Sequence, residues 1–461
     1  MTYRELLARN RDFRRLWTGQ VVSEVGDWLN NIAVLALAIE LAGPARQGRA
    51  IAIYAVARHL PLFLFGPVAG VVVDRTDRRR LMIAADITRA VLALGFLAAQ
   101  KFATLPLIYA VGASLFSVSA FFNAAKRATL PNLVARTDDL LAANSLSAST
   151  TAATIAVGSA LGGIVATFFG RDVVFVANAA TFLVSAETIR HIGWRATKST
   201  TREAAAGFDE SVEPQSEGVA TASARVRPTR FAGSFSLTRL VRATLSDFRE
   251  GLRYVRRDSV LAAVFVVAAG WGLGNGAARA LYSVFGARLG EQAASQWLAR
   301  PKDFGISILF VAMGAGGVLG APLARRFNTG AGARLGARMG RSLLFDGCGL
   351  FLFSLMPNLW GAAAVLVLRE MNYAVWWTAQ QTIMMKRTAN NYAGRVFATH
   401  ETVTTLTMVC AIYAAGAAAD TFGIRVVAAT GGAVIALSGV TWFLLRRGDA
   451  ATLDSARAGE V

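Results

Sequence analysis

The sequence predicts an all-α integral membrane protein of twelve transmembrane helices in two pseudo-symmetric six-helix bundles. Three observations lead there. Twelve apolar stretches recur along the 461 residues, each about 20 residues long and so able to cross a bilayer core as a helix. The polar connections carry Lys and Arg unevenly, favouring alternate connections. The stretches also fall into two sets of six whose fifth members end alike.

Composition narrows the function classes. The chain is 54% hydrophobic and 17% charged, with a mean hydropathy of +0.44. A soluble domain could not bury a dozen such stretches. The 43 glycines suit close helix packing in lipid. A net charge of +19 would suggest nucleic acid in a soluble protein. Here basic cytoplasmic loops account for it, and no nucleic-acid partner is expected. Cys348 and Cys410 both lie in apolar stretches and form no disulfide framework or CxxC metal pattern. There is no GxxxxGK[ST] loop and no HExxH, and only three His are present. The expectation is no enzyme, no metal and no cofactor.

The first six spans are placed near 17–41, 51–73, 81–99, 105–124, 141–168 and 173–190. The first follows a basic start (Arg4, Arg9, Arg11, Arg14, Arg15), holds Glu24 and Asp27, and lacks a small-residue cleavage site. It reads as a retained span, not a signal peptide. Residues 193–235 are rich in Ser, Thr, Ala, Glu and Gly and read as a linker. Residues 236–258 regain helical spacing, with Leu245, Phe248, Leu252 and Val255 on one side and Arg242, Arg249, Arg253 and Arg256 around the rest. This is expected to be an amphipathic helix on the cytoplasmic membrane surface. The second set lies near 260–286, 304–323, 341–356, 360–382, 396–419 and 424–445. The expected organisation is a first bundle over 1–192, a linker with its amphipathic helix over 193–258, a second bundle over 259–447 and a tail over 448–461.

Without the long central segment, the Lys and Arg divide about 23 to 8 between the two sides. Both termini are therefore expected on the cytoplasmic side of a bacterial inner membrane. The fifth span ends Gly158-Ser-Ala-Leu-Gly-Gly163 and then Thr167-Phe-Phe-Gly170-Arg171, and the eleventh ends Thr421-Phe-Gly423 shortly before Arg425. Matching small-residue endings at matching positions suggest internal duplication, a habit of secondary transporters.

The sharpest local signal is Gly70-Val-Val-Val-Asp74-Arg75-Thr-Asp77-Arg78-Arg79-Arg80. It resembles motif A of the major facilitator superfamily, which implies a charge latch on the cytoplasmic side built on Gly70, Asp74, Arg75, Arg78 and Arg79. Gly70 would permit close approach of another helix. Asp74 would cap a neighbouring helix or pair with an Arg. The variant with Asp77 is similar to the drug:proton antiporter-3 group, the enterobactin exporter-like branch. Asn10 to Gln20 with Gly26-Asp27-Trp28 resembles the opening helix of that group. Asp86-x-x-Arg89-Ala90, Leu130-Pro131-Asn132-Leu133, Ala143-Asn-Ser-Leu146, Glu250 to Val255 and Gly394-Arg395-Val396 follow its order. Two departures stand out. The fifth span has Ser159 where antiporter motif C has Pro, and residues 105–124 contain no Arg for motif B.

Ionisable residues inside spans are the functional candidates, because charge in hydrocarbon is costly and usually faces a cavity. Glu24 and Asp27 share a face of the first span, extended by Asn31, and Arg58 of the second could neutralise one of them. This trio is expected to carry proton or cation coupling. Asn275, Arg279, Glu370, Trp376, Trp377, Gln380 and Glu401 are expected, with Asn31, to line a substrate cavity, the tryptophans as an aromatic wall. The resemblance implies a proton-coupled exporter of hydrophobic drugs, macrolides or siderophore-like compounds, acting as a monomer in the bilayer by alternating access. An importer or lysophospholipid flippase of the same fold, or a non-transporting membrane sensor, stays open on sequence alone.

Overall fold

A computed structural model describes residues 3–134, 137–193, 237–293, 298–328, 332–389 and 392–458. Among these residues it contains fourteen helices. They are α1 (Tyr3–Arg9), α2 (Arg11–Ala42), α3 (Gln47–Arg75), α4 (Arg78–Lys101), α5 (Leu105–Leu133), α6 (Thr137–Phe168) and α7 (Arg171–Arg190), then α8 (Leu237–Val255), α9 (Ser259–Ala293), α10 (Pro301–Phe327), α11 (Gly332–Leu355), α12 (Leu359–Arg387), α13 (Ala393–Phe422) and α14 (Ile424–Ala458). Twelve are long, and α1 and α8 are the extra pieces. Ten are long and apolar enough, by length and composition, to cross a membrane. The other two long helices, α11 and α12, are interrupted by Asp346 and by Arg369 and Glu370. The predicted linker, 193–235, lies outside the described residues from 194 on, which resume at 237.

Helix starts follow local chemistry. The side chains of Asn10, Asp77 and Asn358 accept hydrogen bonds from the backbone N–H groups of Phe13 (2.8 Å), Arg80 (3.0 Å) and Gly361 (2.8 Å). Each satisfies an orphan donor of a first turn. Asp77, the residue that departs from the usual motif A pattern, is therefore the N-cap of α4. Asn10 also donates to the Leu133 carbonyl at 2.6 Å, tying the start of α2 to the end of α5. Gly170 (φ 91°) and Gly423 (φ 88°) turn the chain after α6 and after α13. Both sit where only glycine is at ease, so the two matching endings read from the sequence adopt the same backbone.

The two halves repeat one packing scheme. In the first, α2 packs on α6 and α7, α4 on α7 and α5, and α3 on α5. In the second, α9 packs on α13 and α14, α11 on α14 and α12, and α10 on α12. Every pair has its counterpart six spans later. The halves meet through α6 against α10 and α3 against α13, which are themselves counterparts. Helices α2 and α9 bury most of their length. The outer helices instead expose apolar side chains such as Val91, Val176, Leu183, Phe351 and Leu437, the surface that lipid would cover.

Some boundaries differ from those predicted. Helix α5 runs on to Leu133, beyond the expected end at 124, because Ala-rich sequence with isolated Lys126 and Arg127 remains good helix. Helix α14 continues to Ala458, through much of the expected tail. Helix α8 docks on α13 as well as presenting basic residues outward. Its Gly251 faces Thr399 and the Arg395 carbonyl, and Tyr254 stacks on Tyr392 with ring centroids 4.6 Å apart.

Candidate functional site

A cavity of about 170 Å³ lies between the halves. Helices α2 and α3 line it from one half, and α9, α10 and α13 from the other. Three expected residues reach it: Asn31, Arg58 and Arg279. The Arg58 guanidinium donates to the Asn31 side-chain oxygen and lies over the rings of Trp28 (5.0 Å) and Phe116 (4.9 Å). Trp28 in turn approaches Phe310 across the halves, at 5.9 Å between centroids. His59 bonds back to the Ala55 carbonyl at 2.8 Å. Arg279 is exposed in the cavity and has no bonded partner among the described residues.

The expected coupling trio is divided. The Glu24 carboxylate accepts from Gln20 (2.8 Å) and from Thr151 and Thr154 (3.2 Å each), and its cation is Lys126 of α5 at 3.7 Å. Arg58 does not pair with it. Asp27, half-buried one turn along α2, has no bonded partner among the described residues. Arg89 and Arg58 are its main charged neighbours. Lys126 escaped the sequence reading because the span was ended two residues too early. Below this cluster, Arg89 bonds to Asp86 and is held between the rings of Phe122 (4.1 Å) and Phe182 (4.4 Å).

The expected aromatic wall belongs to the interior of the second half. Trp376 is 1% exposed and stacks on Trp271 at 4.5 Å. Tyr373 stacks beside them on Trp271 and Trp377. Trp376 is therefore core and not cavity lining. Gln380 is fully buried and hydrogen-bonded to His400 at 2.9 Å. Asn275 is buried in a glycine-lined helix contact, where a Cβ on neighbouring Gly276 would meet the Met408 carbonyl at 2.6 Å. Glu370 is half-buried and Glu401 exposed, neither with a bonded partner among the described residues. Arg369, adjacent to Glu370 on α12, binds Asp346 of α11 at 2.9 Å and donates to the Tyr282 hydroxyl.

The two ends of the molecule differ. At the end opposite the termini the halves are locked. Arg171 of α7 makes two bonds to Asp303 of α10 (3.0 and 2.8 Å) and one to Glu40 of α2 (2.7 Å). Asp420 of α13 caps α3 by accepting from the Gly48 and Arg49 N–H groups at 2.8 and 3.0 Å. The Ser307 hydroxyl donates to the Ser159 carbonyl at 2.7 Å. At the terminal end the contacts expected of motif A are not made among the described residues. Asp74 is exposed with no bonded partner among the described residues, and a Cβ on Gly70 or Gly394 would meet nothing within 4 Å. The close approach expected at Gly70 is therefore absent in this conformation. Arg78 and Arg79 serve the first half instead, donating to the carbonyls of Ala128 (2.7 Å) and Arg190.

A family model described as a transmembrane secretion effector, of the major facilitator superfamily, matches residues 7–213. A Bacillus subtilis protein named for bacilysin export, BacE, is 28% identical over 351 residues, 75% of this chain and 74% of its own. Macrolide efflux protein A of Streptococcus pyogenes is 35% identical over a shorter stretch of 75 residues, 16% of this chain and 18% of its own. Among solved structures, a bacterial homologue of the iron transporter ferroportin in the inward-facing state superposes with a TM-score of 0.67. That match has 13% identity and covers 95% of this chain and 99% of that one. An inward-facing, unoccupied bacterial homologue of the lysosomal transporter Spinster gives 0.62, at 13% identity over 94% and 97%. Residues 7–213 match that family model, and the chain as a whole shares the fold of these solved transporters.

The glycines of the fifth span have separate duties. A Cβ on Gly158 or Gly162 would meet the Val25 or Leu29 carbonyl at 2.7 Å, so both let α6 touch α2. Gly163 faces Ser307 across the halves. Close backbone approach of this kind is what small residues provide between membrane helices. At the terminal end, Arg395 at the start of α13 is held by Asp247 (3.3 Å) and Glu250 (3.1 Å) of α8.

Proposed function

We propose that this transporter is a proton-coupled exporter of amphipathic small molecules, the class that includes hydrophobic drugs, macrolides and siderophore-like compounds. It acts as a single chain in the bacterial cytoplasmic membrane, with both termini cytoplasmic. The observation that carries the reading is the separation of two sites in one pathway. A cavity shared by both halves is shut at one end and released at the other. Beside it, within the first half, Glu24 shares a cluster with Lys126 and with unpaired Asp27. An acid that bonds a lysine when ionised and releases it when protonated can trade a proton for a change of helix packing. Residues 1–192 and 259–447 act as the two rocking units, joined by 193–258. With cytoplasmic termini, the conformation described is open to the cytoplasm.

Proton release from inside-out vesicles, triggered by a panel of lipophilic drugs and siderophores, tests the coupling. Release is expected with one compound class, and at least ten-fold less in Glu24→Gln combined with Asp27→Asn. Export that continues in the double variant without proton movement would overturn the coupling assignment.

Motif A is the latch of the closed state. Closing the terminal end brings Asp74 to the start of α13, where Arg395 leaves the α8 acids for it. A hydrogen bond to a charged group contributes about 1.5–3 kcal/mol. Asp74→Asn is therefore expected to slow export roughly ten-fold or more at normal membrane abundance. An unchanged initial rate in proteoliposomes would remove the latch.

A further inference from the structure

We propose that the central cavity is an anion site, taking the carboxylate end of an amphipathic substrate between Arg58 and Arg279. This assignment rests on the transporter reading above and names the substrate class for its cavity.

The interior arginines divide into two kinds. Arg89, Arg171 and Arg369 each have an aspartate bonded to the guanidinium. Arg58 and Arg279 do not. The side-chain partner of Arg58 is the neutral oxygen of Asn31, and Arg279 has no bonded partner among the described residues. These two line the cavity, one from each half, and none of its lining residues is Asp or Glu. Asp27 acts on Arg58, and Glu370 on Arg279, through space only, without an ion pair. Two guanidiniums held at membrane depth without bonded counter-ions are costly. A carboxylate entering between them supplies the missing acceptors, and the guanidinium fork suits that geometry. Trp28, Phe310 and Met313 furnish an apolar wall for the rest of the molecule. A volume of about 170 Å³ fits a phenyl-sized body with its carboxylate. A lipophilic cation would meet two like charges. Because the arginines come from opposite halves, an anion bridging them also draws the halves together.

The test uses the full chain in phosphatidylcholine nanodiscs, where no anionic headgroup competes. Three matched probes differ only in charge: 3-phenylpropanoate, 3-phenylpropanamide and 3-phenylpropylammonium. Binding is read by thermal stabilisation and by tryptophan fluorescence. The carboxylate is expected to bind at least ten-fold more tightly than the amide, with the ammonium weakest. Arg58→Gln and Arg279→Gln are each expected to weaken carboxylate binding at least ten-fold, and Arg279→Lys by less. Arg279 points into open space, so its replacement leaves the packing intact, and gel filtration confirms this. Equal or tighter binding of the amide or ammonium would overturn the proposal. So would unchanged binding in Arg279→Gln, or no carboxylate binding up to its solubility limit. Counterflow in proteoliposomes separates the two readings. Carboxylate binding without movement leaves the anion site and removes the transport role of this cavity. Movement of the ammonium but not the carboxylate removes the anion site and leaves the transporter.

Discussion

Replacing Asp303 with asparagine is expected to open the end of the transporter that is shut in this structure. Arg171 is 3% exposed and Asp303 fully buried, and two hydrogen bonds join them across the halves. Removing one member of a buried pair costs about 3–5 kcal/mol, because the other charge stays buried without compensation. Glu40 offers Arg171 one remaining bond, but its side chain is more than half exposed and lies in the same half as Arg171, so it holds nothing across the interface. The penalty falls on the locked conformation alone. When the halves part, water reaches Arg171 and the missing acceptor is replaced. Even 3 kcal/mol corresponds to roughly a 150-fold change in the ratio of two states. Spin labels at 45 and 299 report the shut end, and labels at 76 and 388 the other, with Cys348 and Cys410 replaced. In Asp303→Asn the first distance should lengthen and the second shorten, because the halves rock as bodies about the cavity. If both distributions match the parent while thermal stability falls, the contact is a structural staple without a share in the state balance.

That lock was invisible in the sequence for a physical reason. Arg171 and Asp303 sit at the first turns of α7 and α10, 132 positions apart. A charge at a span end reads as an ordinary loop residue until the two loops are brought together. Patterns set by one helix fared better. The apolar lengths gave the spans, and the Thr-Phe-Gly endings gave two glycines of nearly the same φ. Patterns that need a neighbour were less legible. Glu24 and Asp27 do share α2, but which cation each would meet depended on how far α5 extends, and Lys126 lay just past the predicted end. Trp376 and Gln380 looked like cavity groups because polar and aromatic residues in a span often are. The packing of α12 against its neighbours turned both inward instead, Trp376 onto Trp271 of α9 and Gln380 toward His400 of α13. Arg58 and Arg279, on different halves, could be named from sequence but not placed in one cavity.

The buried pair of the second half invites the sharpest separation of structure from mechanism. Arg369→Ala is expected to destabilise that half by about 3–5 kcal/mol. The Asp346 carboxylate, 5% exposed, would keep only the Trp271 indole N–H at 3.2 Å as a side-chain donor. Tyr282 would lose the guanidinium that now donates to its hydroxyl. Because the pair joins α11 to α12 and reaches α9, the loss should spread over three helices and appear as a lower unfolding midpoint in detergent titration. The double variant Asp346→Leu with Arg369→Met removes both charges and fills similar volume, and such replacements are often neutral or stabilising. It should therefore recover most of the midpoint, giving a coupling energy of the same order in the double-mutant cycle. A double variant whose loss equals the sum of the Asp346→Leu and Arg369→Met single losses would show that the pair has no net coupling. Transport then decides the remaining question. If the stable double variant exports at the parental rate, the pair is a strut that orients α9 and so presents Arg279 to the cavity. If it is stable but does not cycle, the exchange of charges takes place in both halves, and Glu24 with Lys126 is only the first-half member of a symmetric device.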